Sequence, residues 1–288
     1  YGWELEIGWR DQIKDFSYGV KLVLSDSQEK ITRYPNENKN LDSYYTNMKR
    51  GNIWGFKTAG IAQSQEEMDK HLENNRPTWG TEWGAGDIMY QDLNGDGIIS
   101  QGDNTLGNHG DRVIIGNTTP RYNYGIFLDA GYKGFDLSLF FQGVGKRDFM
   151  LGGPYFWGAT GQGLWQAAAF NEHWDFWRPE GDPLGANTNA YYPIVNFDDG
   201  KNTKNQTRYL QDASYIRLKN IQLGYTFPKQ WLQKAKINRL RVFMSGDNLF
   251  TVSNVSGIFD PESLGGDWGQ GKLYPLQKVI SFGLNVNF

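Results

Sequence analysis

Apolar and polar residues alternate one for one along seven stretches of the chain, the pattern of strands with one greasy face and one wet face. In the first, Trp3, Leu5, Ile7 and Trp9 alternate with Gly2, Glu4, Glu6, Gly8 and Arg10. After a polar turn at Asp11 to Asp15, Phe16, Tyr18, Val20, Leu22 and Leu24 alternate with Ser17, Gly19, Lys21, Val23 and Ser25. The third sets Tyr122, Tyr124, Ile126, Leu128, Ala130 and Tyr132 against Asn123, Gly125, Phe127, Asp129 and Gly131. Lys133-Gly134 then gives a two-residue hairpin turn. The fourth returns with Phe135, Leu137, Leu139 and Phe141 against Asp136, Ser138, Phe140 and Gln142. The fifth lies within Ser214 to Phe227, with Ile221, Leu223, Tyr225 and Phe227 on its apolar face. Its upper part puts Ile216 and Leu218 on the opposite face, which predicts a bulge or strand standing clear of the apolar layer. A short amphipathic turn or helix is expected from Pro228 to Ile237. The sixth stretch, about Arg239 to Asn248, is apolar at Leu240, Val242 and Met244 but broken at Phe243. The seventh sets Ile280, Phe282, Leu284, Val286 and Phe288 against Ser281, Gly283, Asn285 and Asn287.

Stretches of about 9–11 residues suit tilted strands that cross a bilayer. The links alternate between brief and long, the long ones running roughly from Asp26 to Arg121, Gly145 to Ala213 and Leu249 to Leu276. Outer-membrane barrels have short periplasmic turns and long extracellular loops. The expected fold class is therefore all-β: an antiparallel transmembrane β-barrel, present in part, with long extracellular loops and Phe288 on the periplasmic side. An open set of seven strands leaves two unpaired edges in lipid, which is very costly, so the remaining strands are expected from elsewhere in the same polypeptide.

Composition agrees without deciding. Hydrophobic residues make up 39% of the 288, and no apolar run is long enough for a transmembrane helix. Aromatics at 15% and 36 glycines fit aromatic girdles and turn- or lumen-facing glycines, and equally a soluble, loop-rich β protein such as a carbohydrate-binding module or jelly roll. The strict asymmetry of the loops and the aromatic terminus favour the membrane barrel. A net charge of -3 offers no basic face for nucleic acid, and the absence of cysteine removes disulfides and thiolate sites. The start at Tyr1-Gly2-Trp3-Glu4 has no signal-peptide pattern and reads as the inside of a strand, as in a fragment.

The sharpest local motif is Asp92-Leu93-Asn94-Gly95-Asp96-Gly97-Ile98-Ile99-Ser100-Gln101-Gly102-Asp103, with the spacing of a twelve-residue calcium loop. Asp92, Asn94 and Asp96 fall at positions one, three and five. Gly97 gives the sharp turn, Ile98 offers a carbonyl, Ser100 acts directly or through water, and Asp103 stands where an EF-hand prefers Glu. The alternative is a metal-free Asx turn. A short helix is expected nearby over Gln63 to Leu72. Aromatic residues crowd the long links: Trp54, Trp79 and Trp83 in one, Tyr155, Phe156, Trp157, Trp165, Trp174 and Trp177 in the next. Most should pack loops together, while Trp157 and Trp165 are candidates to meet a glycan. Catalytic signatures are missing, the three histidines are scattered, and Asp198-Asp199 reads as a solvated turn.

Several runs resemble the SusC-like TonB-dependent transporters. They are Gly86-Asp87-Ile88-Met89-Tyr90-Gln91 leading into the Asp92 loop, Ile115-Gly116-Asn117-Thr118-Thr119-Pro120-Arg121-Tyr122, Tyr132-Lys133-Gly134-Phe135-Asp136-Leu137-Ser138, Phe141-Gln142-Gly143, Ala213-Ser214-Tyr215-Ile216-Arg217-Leu218-Lys219-Asn220, Leu223-Gly224-Tyr225 and Gly246-Asp247-Asn248-Leu249-Phe250. The resemblance covers essentially the whole chain in order. It implies the carboxy-terminal part, residues 1–288, of a barrel of about 22 strands filled by an amino-terminal plug, with plug and earlier strands outside this sequence. It also implies a SusD-like surface lipoprotein as lid, energy from TonB through the amino-terminal part, and import of oligosaccharides or peptides without any covalent step. Lumen candidates by alternation are Glu4, Glu6, Asn123, Asp129, Asp136 and Gln142. The competing readings are a scaffold barrel in an outer-membrane assembly and a soluble calcium-dependent glycan-binding domain.

Overall fold

The computed structural model describes residues 1–160, 169–196, 200–265 and 273–288. In chain order its strands begin with β1 (Gly2–Ile13) and β2 (Phe16–Ser27). The short loop strands β3 (Asn52–Phe56), β4 (Thr58–Ile61), β5 (Arg76–Pro77), β6 (Ile88–Tyr90), β7 (Ile98–Ile99) and β8 (Arg112–Asn117) follow. Next come the long β9 (Arg121–Tyr132) and β10 (Phe135–Lys146), then the short β11 (Asp148–Met150) and β12 (Leu210–Asp212). The long β13 (Tyr215–Thr226), β14 (Arg239–Ser253) and β15 (Val279–Asn287) complete the set. The helices are α1 (Gln65–Leu72), α2 (Gly153–Trp157) and α3 (Lys229–Leu232).

The seven long strands form one antiparallel sheet in the order β1-β2-β9-β10-β13-β14-β15, so each pairs with the next long strand in sequence. Their register stacks apolar residues in continuous rows. One row runs Ile7, Leu22, Ile126, Phe141, Leu218, Phe250. Near the short turns another runs Ile13, Phe16, Tyr132, Phe135, Tyr225, Val242, Leu284, where four aromatic rings make a girdle of the kind that sits at a membrane interface. Toward the last strand this face stands open. Ile280, Phe282 and Leu284 are 63%, 80% and 61% exposed, which rules out the buried core that a soluble jelly roll would make of them.

Strand ends differ from expectation in ways the hydrogen-bond ladder explains. β1 continues through Asp11, Gln12 and Ile13, because Gln12 and Ile13 pair with Ser17 and Phe16, so the turn is only Lys14-Asp15. At the next hairpin both turn residues, Lys133 and Gly134, take positive φ (46° and 94°), the geometry that matches strand twist across a two-residue loop. The irregular upper part of β13 is a bulge. Asn220 faces Phe140, but Leu218 faces the very next residue, Phe141, so Lys219 is the extra residue. β14 answers with an irregularity of its own at Asn248, whose φ is 52°. The outcome is that Leu218 and Ile216 rejoin the apolar face. Phe243 does not break the pattern either: it stands on the polar face opposite Gly283, whose lack of a side chain makes room for the ring.

All three long connections leave the sheet at the same end and fold together, whereas the opposite end carries only tight turns and α3. Within the first connection α1 forms where expected. Ser64 caps it by accepting the Glu67 N–H, and Glu67 reaches back to accept the Gln63 N–H at 2.6 Å. Its buried residue Met68 packs with Ala62 and Met89.

The face assignment predicts opposite fates for neighbouring residues. Leu139→Arg on the apolar face should cost about 2–4 kcal/mol near a bilayer midplane, whereas Ser138→Arg on the other face should cost little. The temperature at which the folded receptor loses its compact mobility on a gel would read both.

Candidate functional site

The polar face of the sheet is a wall whose charges are paired along its own surface. Asp129 of β9 lies across Gly19 of β2 to meet Arg10 of β1 at 3.1 Å. A Cβ at Gly19 would stand 2.5 Å from that carboxylate, so glycine is what lets the pair span three strands. The same device recurs at the other side of the sheet. Arg241 of β14 lies across Gly224 of β13 to reach Asp136 of β10 (Nε to Oδ1, 3.0 Å), and it also donates to Gln222 at 2.9 Å. Lys21 meets Glu6 at 2.8 Å, and Asn220 donates to Asp247 at 2.7 Å. Among the described residues Glu4, Asn123 and Gln142 have no such side-chain partner. Glu4, Ser25 and Asn123 share one row across β1, β2 and β9, near the loop end.

Above the wall the loops make a roof with a core of its own. Phe56, Ile88, Tyr90 and Ile99 of the first connection, Phe156, Trp157, Trp177, Tyr192 and Tyr209 of the second, and Val255, Phe259 and Leu264 of the third form one buried cluster. Edge-on ring contacts dominate it, such as Trp157 on Tyr209 at 4.7 Å between centroids. Burial pushes the hydroxyls of Tyr90, Tyr192 and Tyr209 well above the ordinary tyrosine range, so they stay neutral, and those of Tyr90 and Tyr209 donate to the carbonyls of Lys201 and Tyr191. Two ionic staples lock the roof. Lys201 meets Asp87 at 2.8 Å with both side chains buried, while Asn196 and Asn202 donate to the other carboxylate oxygen of Asp87. Arg217 and Lys219, at the β13 bulge, hold Asp260 and Glu262 of the third loop at 2.8 to 3.1 Å. Removing one partner from such a buried set is strongly destabilising, because the other charge is left without compensation.

Known proteins place this architecture. No family model matches the chain. It is 27% identical over 314 aligned residues to TonB-dependent receptor P3 of Formosa agariphila, which takes in 100% of this chain and 28% of that receptor. It is 25% identical over 305 residues to TonB-dependent receptor SusC of Bacteroides thetaiotaomicron, across 100% of this chain and 26% of SusC. The chain is similar to the TonB-dependent receptors, SusC among them. The SusC-like chain also superposes on the solved RagAB peptide transporter with a TM-score of 0.67 at 20% identity, over 100% of this chain and 29% of that one. It spans less than a third of the length of these curated relatives.

The SusC-like signature residues are joints. Asp87 is the centre of the Lys201 staple. Asn117 accepts the Thr119 N–H on its side chain and donates to Asn52 and the Arg50 carbonyl, while Asp148 accepts its backbone N–H. Arg121 makes a two-pronged pair with Asp26 where β2 and β9 enter the roof. Of the residues expected in the lumen, Glu6, Asp129 and Asp136 are tied into wall pairs, and Glu4, Asn123 and Gln142 have no side-chain partner on the wall among the described residues. Trp157 is 2% exposed inside the roof core, so its ring is closed to a ligand. Trp165 and Asp198-Asp199 lie outside the described residues. Sequence spacing had no means of finding Arg10, Lys21 or Arg241, because their partners are set by register across strands.

The Asp92 loop is closed by its own backbone. Asp92 accepts the N–H groups of Asn94, Gly95 and Gly97, Asp96 accepts that of Ile98 at 2.7 Å, and Ser100 accepts that of Gly102. Asp103 turns to Asn108 at 2.8 Å. The fully buried Asp111, outside the twelve-residue window, accepts from Leu93 and Ser100. Among the described residues no three His, Asp or Glu side chains converge as a metal-holding group. Burial opposes the Asp92 charge, but the Gly97, Gly95 and Asn94 N–H groups outweigh it and hold the carboxyl below its ordinary range. The support Asp92 gives is therefore complete above the usual carboxylate range, about pH 3.9, and is lost as pH falls through the lowered folded value. Asp111→Ala should loosen the loop by about 1–3 kcal/mol, since two backbone donors lose their acceptor. Hydrogen exchange at Gly95, Gly97 and Ser100 would show both effects.

Proposed function

We propose that this chain forms part of the wall and roof of an outer-membrane import channel, with the loop end outside the cell and the tight turns in the periplasm. The observation that carries the reading is the pairing of an outward apolar face with an inward polar wall, under long loops gathered at one end only. That arrangement suits a channel that takes cargo from outside and has nothing to catalyse. The full receptor would bind cargo beneath a SusD-like lipoprotein lid and draw on TonB for release. Its cargo class is oligosaccharide or peptide; RagAB is a peptide transporter, and the curated relatives carry receptor names that state no cargo.

Cargo contacts should come from the wall groups that have no partner on the wall. In the full-length receptor, Glu4→Gln with Asn123→Ala should weaken uptake roughly 2–10-fold per hydrogen bond lost, given about 0.5–1.5 kcal/mol for each. The amount of folded receptor should not change. Uptake of labelled glycans and peptides into cells carrying each variant measures this. If deletion of the receptor leaves uptake of every glycan and peptide intact, the scaffold reading takes its place.

We also propose calcium as a structural ion of the Asp92 loop, held by Asp92, Asn94, Asp96, the Ile98 carbonyl, Ser100 and Asp103 once their present hydrogen bonds exchange for the ion. The oxygen-rich spacing supports it. Calcium should slow exchange of the Gly95 and Gly97 amides in the wild-type receptor and have no effect after Asp92→Asn. Equal exchange with and without calcium in the wild type would remove the ion from the account.

A further inference from the structure

A polar cleft of about 330 Å³ opens in the roof where the second and third connections meet, lined by Glu172, Asp175, Tyr191 and Tyr192 of the second and by Asn254 and Ser256 of the third. One buried side chain ties the two connections together there. Gln211 of β12 donates to the Tyr191 hydroxyl at 2.9 Å and accepts the Ser256 N–H at 3.2 Å. The Glu172 carboxylate reaches toward the third connection, where a Cβ at Gly257 would lie 3.9 Å from its Oε1. Tyr192 is 1% exposed, and its ring is fixed edge-on by those of Phe156, His173 and Tyr191. Its hydroxyl opens on the cleft and has no hydrogen-bond partner among the described residues. Buried polar groups are rarely left without a partner, so a hydroxyl held this firmly and left free points to a partner from outside the chain.

Charge selects that partner. Among the described residues no salt bridge reaches Glu172 or Asp175, and no Lys, Arg or His lines the cleft. Asp175 accepts only from the neutral amide of Asn187, at 2.9 Å. Arg178 and Arg208 of the same connection turn their guanidinium groups to backbone carbonyls instead, Arg178 to those of Trp174 and Gly185, Arg208 to those of Ala190 and Tyr191. Asp212 adds a further carboxylate behind Asn254, whose amide donates to it at 3.0 Å. Burial chiefly, and after it the charges of Tyr191, Glu172 and Asp175, push the Tyr192 hydroxyl up, so both carboxylates lie within electrostatic reach of it. We infer that this cleft binds the primary ammonium group of a ligand, with Glu172, Asp175 and the Tyr192 oxygen as its acceptors. An ammonium group has three donors and no acceptor, which matches three acceptors and no competing cation. Two of the three bonds are then charge-assisted. A neutral sugar hydroxyl would donate to one carboxylate and leave both charges uncancelled. The lysine side chain of a peptide and the amine of an amino sugar share the required chemistry. The inference goes beyond the import reading, since holding an amine requires no transport.

Isothermal titration calorimetry on the full-length receptor tests this with a short lysine peptide blocked at both ends and with a glucosamine trimer, in a slightly acidic buffer where both probes are charged. At least one should bind, and the one that binds names the source of the amine. The N-acetylated form of that probe, which has lost the charge, should not bind. Glu172→Gln with Asp175→Asn should weaken binding by roughly tenfold or more, and Tyr192→Phe by roughly tenfold, the size of a hydrogen bond to a charged group. Both carboxylates are exposed and the Tyr192 hydroxyl has no partner among the described residues, so the thermal melts of these variants should match the wild type. Should a variant fail to fold, the comparison of free and acetylated probes on the wild type decides by itself. Acetylated probes that bind as well as the free amines, binding that survives the substitutions, or no binding of either probe overturns the inference. Binding is read without transport, so a receptor that holds the amine yet imports nothing keeps the site and loses the import reading.

Discussion

A strand in lipid has no water to satisfy its backbone, so every N–H and C=O must find a neighbouring strand, and that pairing fixes which side chains share a row. The rest of this structure follows from the rows. Because side chains alternate strictly, a slip of one residue would move a whole strand's apolar set to the wrong face. The β13 bulge shows how firmly this is enforced. One extra residue at Lys219 would invert Ile216 and Leu218, yet the ladder absorbs it, β14 adds its own irregularity at Asn248, and the row Phe141, Leu218, Phe250 stays continuous. Lys219 is then free to hold Glu262, which makes the bulge the point where sheet and roof are joined.

On the polar face the same rows create a different problem, since they set several charged side chains side by side on one surface. The solution is lateral. Arg10 with Asp129 and Arg241 with Asp136 lie flat across an intervening glycine, and each pair neutralises itself. Glycine in the middle of a strand weakens it and leaves no side chain to pack. Gly19 and Gly224 offset that cost because the bare backbone is where a long ionic side chain can rest. A pair as exposed as Arg10 with Asp129 contributes little stability by itself. The effect of such pairs is on the character of the surface, which becomes polar without being strongly charged.

The strands were legible in the sequence because period two needs only local information, and the asymmetry of short and long links was legible for the same reason. The limits of β1 were not, since Asp11 and Gln12 are polar and read as a turn; only pairing with Tyr18 and Ser17 keeps them in the strand. The candidate site divided along the same line. Alternation placed Glu6, Asp129 and Asp136 on the polar face, but it carried no news of Lys21, Arg10 or Arg241, which occupy those carboxylates from other strands. Trp157 looked like a ring for a ligand because it sits in a loop. In fact the loops here have a core, and a large aromatic residue is the natural centre of one. The Asp92 spacing was read as a closed twelve-residue unit, whereas Asp111 closes it from beyond, through a fold-back of the chain that no spacing rule contains.

These facts together give the runs that resemble SusC-like receptors a structural reason for their placement. A barrel whose loops must hold a shape above a wide opening cannot rely on strand pairing there, because the ladder ends at the rim. The roof needs its own fixed points: a buried charge pair at Asp87, a hydrogen-bonded corner at Asn117, a two-pronged link from Arg121 to Asp26, and a bulge that carries Arg217 and Lys219 to the third loop. At Asp87, Arg217 and Lys219 a shorter or uncharged side chain leaves an oppositely charged partner without its ion. Wall positions such as Glu4 and Asn123 carry no such constraint. A substitution at the wall therefore leaves the joints, and the roof they hold, in place.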